Sequence, residues 1–547
     1  MPRLLRKLVR PRRLSCASPI FFLMAALAGN AQKVITSQYD NARHGANLIE
    51  TTLTPSNVNA QHFGKLFNLK VDGDIYAQPL FLAGVEIPGK GRHDVLYVAT
   101  EHDSVYAFDA YGNPSTPLWQ VNLARDGEAP VPGGDTDCPF IQPEVGITST
   151  PVIDPQTGTL YVLARTKTRP GLVTALTRQT ATSYSQRLHA LAITNGVEKL
   201  GGPVDIKAAM SGHGTGNHSG NLEFNPLREN PRSSLLLANG TVYLTWGSSC
   251  DVDPYHGWVM AYDAHTLQQR AVFNASPDAD DSGIWASDTG PAADKDGNVF
   301  VATGNGRFDA ASGGRDYGDS FLKLDGKSLK LDDYFAPFNV DDLDADDKDL
   351  GSGGPLLLPD QPGPHQHLAV IAGKDGTIYL IDRDKMGHFQ PKDDSQIVQS
   401  YPSSGGGIYA SMAYWNHSLY AVSDSDRDAV RQFDLKDGRL ALKESSGSSL
   451  KGMCSTPTVS ANGMRDGVLW ILRSKVWNAG DAHAVLYAFD AANSSHLLYS
   501  SDQNASRDRA GLALRFNIPT IVNGHVYVGA KHEVDVYGLL DSNQVAR

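Results

Sequence analysis

The side chains of this chain that could do chemistry are mostly carboxylates, and their spacing argues for turns before it argues for a site. Aspartates close short apolar runs at Asp109, Asp263, Asp325, Asp382, Asp434 and Asp490, several with a glycine close behind (Gly112, Gly326, Gly438). A short carboxylate there can hydrogen-bond the backbone, and glycine can take positive φ, so turn-making is the first reading. The denser run DDLDADDKD at 341–349 reads in isolation as a solvated acidic loop. Its Asp342-x-Asp344-x-Asp346 spacing suits an oxygen-ligated cation, but it lacks the glycine and terminal glutamate of an EF-hand loop. Alone, Lys374-Asp375-Gly376 is a hairpin turn and Trp285 a core residue. His213, His218 and His256 lie in Gly-rich loops without metal-ligand spacing. The sequence has no Gly-x-Ser-x-Gly elbow, phosphate-cradling loop or Cys-x-x-Cys-His, so it carries no covalently attached haem.

A repeat sets these positions out. VLYVATEHDSVYAFDAYGNPSTPLW at 95–119 holds three short alternating runs, the second closed by aspartate, and an apolar run at 76–82 supplies a fourth. The second run returns as WVMAYD, FLKLD, TIYLID, RQFD and LYAFD, the last four roughly 50–60 positions apart. LHALAI and VDVYGL are weaker copies, which makes eight. The expected fold is therefore all-β, an eight-bladed propeller of four-stranded antiparallel blades at 76–123, 146–206, 231–275, 283–336, 350–400, 405–447, 451–500 and 517–540. The lone strand GKLFNLKV at 64–71 is expected to complete the last sheet and close the ring. Propeller residues thus run over 64–540, with a polar segment at 32–63 expected to wrap the surface and a tail at 541–547. Insertions at 123–145, 208–230, 278–284, 307–320 and 337–350 are rich in Gly, Asp, Asn, His and Pro. Insertions gathered on one face of a repeat ring mark a binding face.

The chain has 547 residues, 41% hydrophobic and 20% charged, ample for a large β core. Residues 1–31 read as a secretory signal: six basic residues in the first 13, then an apolar run too short to span a bilayer. Its removal takes the formal net charge from −12 to −18. A secreted or periplasmic acidic protein without a basic stripe is a poor partner for nucleic acid or anionic membrane. Cys138, Cys250 and Cys454 remain after the signal. Cys138 and Cys250 lie in loops beside neighbouring repeats and are the favoured pair in an oxidising compartment.

The repeats resemble those of the quinoprotein propellers, the superfamily of pyrroloquinoline-quinone (PQQ) dependent alcohol dehydrogenases, and of secreted bacterial PQQ-repeat proteins. The resemblance is sharpest over 240–383, and it implies a site. GTVYLTWGSSCDVDPYHGWVMAYD resembles the segment whose loop carries a calcium-ligating glutamate, offering Asp251 and Asp253. SGIWASD makes Trp285 the counterpart of the tryptophan under the quinone. ATGNGRFD places Asn305 in the Gly-Asn-Gly at the cofactor and Asp309 at a calcium-ligand position. DDKDLGSGG implies Asp349 as the catalytic carboxylate, and AGKDGTIYLIDR implies Lys374 as the cation on the quinone oxygens. In such a set Ca²⁺ acts as a Lewis acid on a quinone carbonyl, a carboxylate takes the alcohol proton and the cofactor does the redox step.

The chain departs from that pattern in two places. The family's adjacent cysteine pair and following arginine are replaced by a loop with Cys138 alone and Glu144, and its Asn-Trp in the sixth blade by Ile408-Tyr409. Two functions follow. One is a PQQ- and Ca²⁺-dependent oxidoreductase acting on an alcohol, aldose or related hydroxyl compound, with an external electron acceptor. The other is a non-catalytic propeller binding a protein or polysaccharide partner.

Overall fold

Alternating apolar runs make short strands, and a strand covered on both faces by neighbouring sheets becomes almost wholly apolar. Both patterns recur in the computed structural model, which describes residues 32–168, 183–402, 406–424, 429–447, 450, 454–473 and 482–541. The signal reading of 1–31 and residues 542–547 of the tail lie outside the described residues. Val299–Ala302 and Leu368–Ala372, second strands of their sheets, are buried at every position. The fold is an eight-bladed β-propeller. In the third blade Leu236–Ala238, Thr241–Thr245, Trp258–Asp263 and Gln269–Asn274 pair in sequence order, antiparallel, with Tyr243 opposite both Leu236 and Ala261. Between the second and third blades Tyr161, Leu163 and Leu188 pack on Val242, Trp258 and Tyr262. Among the described residues no helix is long and apolar enough to cross a membrane.

The repeated aspartates make turns. Asp263 Oδ1 accepts the His265 and Thr266 N–H groups at 2.7 and 2.8 Å. Asp109, Asp382 and Asp490 each accept the N–H two residues on. Ring closure follows the expected route, since Phe63–Asp74 pairs antiparallel with His525–Leu539. The acidic run expected as a loop instead forms a helical turn at Val340–Ala345, with Asp341 and Asp342 in the first turn, where carboxylates suit the free N–H groups.

The first half of the polar segment expected on the surface, residues 34–47, in fact fills one end of the central channel, while Leu48 and Ile49 beyond it are exposed. Val34 pairs with Phe81 of the first blade. Backbone carbonyls of Ile35, Asn41, Ala42, His44 and Gly45 accept N–H bonds from the innermost strands, or their flanks, of the second, fourth, fifth, sixth and seventh blades. Asn41 and Asn47 donate side-chain bonds to Leu237 and Ile521 of the third and eighth. Arg43, 0% exposed, donates to the carbonyls of Pro291, Leu235 and Ser37. All eight blades are thus tied to one strap, which satisfies inner-edge groups that a polar channel would otherwise leave to water.

Candidate functional site

In an antiparallel blade the loop entering the innermost strand and the loop joining the second and third strands emerge on one face. Asp251 and Lys374 sit in second-to-third-strand loops, whereas Trp285, Asp349 and Tyr409 precede innermost strands. Topology therefore delivers them to the same end of the ring, where they share a pocket of about 490 Å³. The strap closes the channel from the other side, where Thr289, at the start of a fourth-blade innermost strand, donates to Gln38.

The side chains of three of the implied residues meet at Asp349. Asp349, 2% exposed, accepts the Trp285 indole N–H at 3.1 Å and the Asn305 backbone N–H at 2.8 Å, both on Oδ1. Its Oδ2 lies 2.5 Å from Lys374 Nζ, which also reaches Asp347 at 2.6 Å. Burial alone would lower the Lys374 amine, but Asp349 and Asp347 outweigh it and push it up to about 12, so it stays charged. Behind Asp349, buried Asp319 accepts the Leu350 N–H at 2.7 Å, and burial with the nearby Asp349 charge holds its carboxyl well above the usual carboxylate range. A Cβ on Gly304 would lie 2.0 Å from Asp349 Oδ1 and 2.5 Å from Trp285 Nε1, so the carboxylate–indole contact requires glycine there.

The other implied residues lie at or outside the pocket's edge. Asp251 is exposed on the pocket wall and accepts the Tyr255 hydroxyl at 3.0 Å. Asn305 faces the rim and donates its amide to Asp347 at 2.8 Å. Asp253 is exposed and off the wall. Asp309 is held in its own loop by Arg307 at 3.1 Å and by the Asp316 N–H at 3.0 Å. Glu144 pairs with His102 at 2.7 Å, away from the wall. Asp251, Asp253 and Asp309 therefore do not converge. Among the described residues no three His, Cys, Asp or Glu side chains form a group that could hold a metal ion. With the Lys374 ammonium already on the buried Asp349 oxygen, the donor set does not fit Ca²⁺.

Sequence reasoning missed the opposite wall. Arg232 stacks on Phe516 at 3.7 Å and lies 5.8 Å from the Trp285 ring centroid, and Arg515 stacks on Phe140 at 3.9 Å. Nothing in their local sequence marks them, because the pairs come from different blades. Cys138 and Cys250 form a disulfide that lines the inner side of this wall, as the favoured pairing expected. Tyr409 lines the pocket, while Ile408 is buried in core.

No family model matches the chain, and no curated protein matches it. Among solved structures it is similar to quinohemoprotein alcohol dehydrogenase ADHIIG from Pseudomonas putida HK5, with TM-score 0.59 and 13% identity over 93% of this chain and 80% of that one. It is similar to the quinohemoprotein alcohol dehydrogenase from Comamonas testosteroni, with TM-score 0.59 and 14% identity over 93% and 81%. A europium-containing methanol dehydrogenase gives TM-score 0.56 and 13% identity over 93% and 98%. At these identities the likeness is one of fold.

Proposed function

We propose that the chain is an exported oxidoreductase of the quinoprotein type, whose pocket takes PQQ and which oxidises a hydroxyl group of an alcohol, aldose or related compound, passing electrons to a separate acceptor. The observation that carries this reading is the Trp285–Asp349–Lys374 contact set, assembled from three separate segments in one pocket. The disulfide suits an oxidising compartment. PQQ would supply the two-electron oxidising chemistry. Lys374 and Lys348, with Arg515 on the opposite wall, would supply the positive charge an acidic quinone needs, and Trp285 an aromatic surface. Asp349 would take the proton of the substrate hydroxyl, its position fixed by the Trp285 and Asn305 N–H groups. No role is assigned to Ca²⁺.

A second reading has its own support. Both Asp349 oxygens are already bonded, Oδ1 twice and Oδ2 to Lys374, as expected of a carboxylate that only holds loops together. The chain would then be a non-catalytic propeller that binds a protein or polysaccharide partner. Purified protein titrated with PQQ, with and without Ca²⁺, separates the two. The enzyme reading requires quinone absorbance in the bound fraction, a raised melting temperature and dye-coupled activity on an alcohol panel. It also requires that Asp349→Asn keep quinone binding and lose activity by 10²-fold or more, the scale of a general base. No response in all three assays removes it.

A further inference from the structure

Beneath the outer pocket, toward the strap, lies a smaller chamber of about 50 Å³. That is room for about four waters, or a group of about five heavy atoms. The two spaces share Phe140, Arg232, Cys250, Arg515 and Phe516, so the two Arg-on-Phe stacks form a septum between them. Tyr76, Thr136, Thr148 and Thr150 contribute hydroxyls to the chamber wall.

Two observations say that this chamber is built for a ligand. First, it holds polar atoms with no partner. Asn230 is 3% and Ser248 1% exposed, yet among the described residues Asn230 Oδ1, Ser248 Oγ and Asp288 Oδ1 are buried without a hydrogen bond. Leaving such atoms unmet costs about 1–3 kcal/mol each. Second, its cation lacks a contact counter-ion. Among the described residues no carboxylate forms an ion pair with Arg232, which donates to the Ser287 hydroxyl at 2.9 Å. Loss of solvent pushes the guanidinium down to about 10, and Asp288 acts on it only at longer range. An anion that also carries a donor would answer both.

We propose that this inner chamber binds the carboxylate of a small hydroxy acid, with Arg232 as its counter-ion, the Ser248 hydroxyl donating to the carboxylate, and one of the unpartnered oxygens of Asn230 and Asp288 accepting its hydroxyl hydrogen. A neutral diol lacks the charge that Arg232 asks for. A carboxylate without a hydroxyl leaves the acceptor oxygens unmet. The site stands on the chamber's own residues and does not require that the outer pocket hold a quinone.

Calorimetric titration of the quinone-free protein with glycolate tests this, using acetate, ethylene glycol and sulfate as comparators. Glycolate should bind at least fivefold more tightly than acetate, and ethylene glycol should not bind measurably. Arg232→Gln should weaken glycolate at least tenfold. Ser248→Ala, which removes an unbonded hydroxyl and so leaves the melting temperature within about 2 °C, should weaken it about threefold. Absence of glycolate binding, equal binding of ethylene glycol, or full affinity in both variants would each overturn the proposal. Sulfate binding as tightly as glycolate would make the chamber a general anion site and overturn the hydroxy-acid assignment. If Arg232→Gln does not fold, Ser248→Ala and the comparators decide. Failure of PQQ titration leaves these outcomes untouched, so the two readings can fail separately.

Discussion

Replacing Lys374 by methionine removes the charged partner of a carboxylate that is 3% exposed at its side chain. Asp349 would keep the Trp285 and Asn305 N–H bonds but lose the ammonium 2.5 Å from Oδ2. Breaking a buried pair by deleting one partner costs about 3–5 kcal/mol. The second contact, to Asp347 with its side chain 68% exposed, adds at most about 1 kcal/mol. A ring of about 500 residues unfolds with an entropy of roughly 1 kcal/mol/K near its midpoint, so the expected drop is about 3–5 °C in Tm. Scanning calorimetry measures it. Lys374→Met combined with Asp349→Asn should recover at least half of the loss, because the amide keeps an oxygen for both N–H donors and carries no charge. A Lys374→Met protein melting within 1 °C of wild type, or a double variant no better than the single, would falsify the view that this pair is a buried, mutually dependent unit.

Two further perturbations reach other parts of the ring. Glu101, 1% exposed, accepts the Gly146 N–H and the Thr148 hydroxyl on Oε2, and burial pushes its carboxyl up to about 8. The folded state therefore holds a proton that the unfolded state releases between its ordinary value of 4.5 and pH 8, and stability falls with rising pH across that window and is flat above it. Glu101→Gln removes this contribution, so wild-type stability measured against the variant should decline by about 4 kcal/mol from pH 5 to pH 8; parallel denaturation profiles would refute the assignment. Arg43→Met deletes the fork that ties the strap to Pro291 and Leu235 and braces it internally at Ser37, leaving buried carbonyls unmet at about 1–3 kcal/mol each. A Tm lowered by several degrees with new proteolytic cuts in 32–47 is expected, and Arg43→Lys should restore only part because an ammonium cannot present the fork.

How far the site could be read in advance follows from the range of the interactions. Trp285, Asp349 and Lys374 were legible because each sits in a local motif, and blade topology carries such loops to one face without further instruction. Asp309 also sits in a matching motif, yet it is settled by its own loop, by Arg307 two residues away, and a motif match cannot register that. Arg232 and Arg515 had no local signal, since what marks them is a phenylalanine from another blade.

The sequence by itself determined the repeat, the alternation that makes each run a strand, the aspartate turns and the pairing that closes the ring, because all are written in spacings of a few residues or in a recurring period. Only the tertiary structure decided that the polar N-terminal stretch is interior and that Asp349 meets a lysine rather than a carboxylate-bound cation. Both depend on partners far along the chain: Asn47 donates to Ile521, 474 positions away. A polar residue looks the same in sequence whether water or a distant carbonyl satisfies it, and only the closed ring brings those carbonyls within bonding distance.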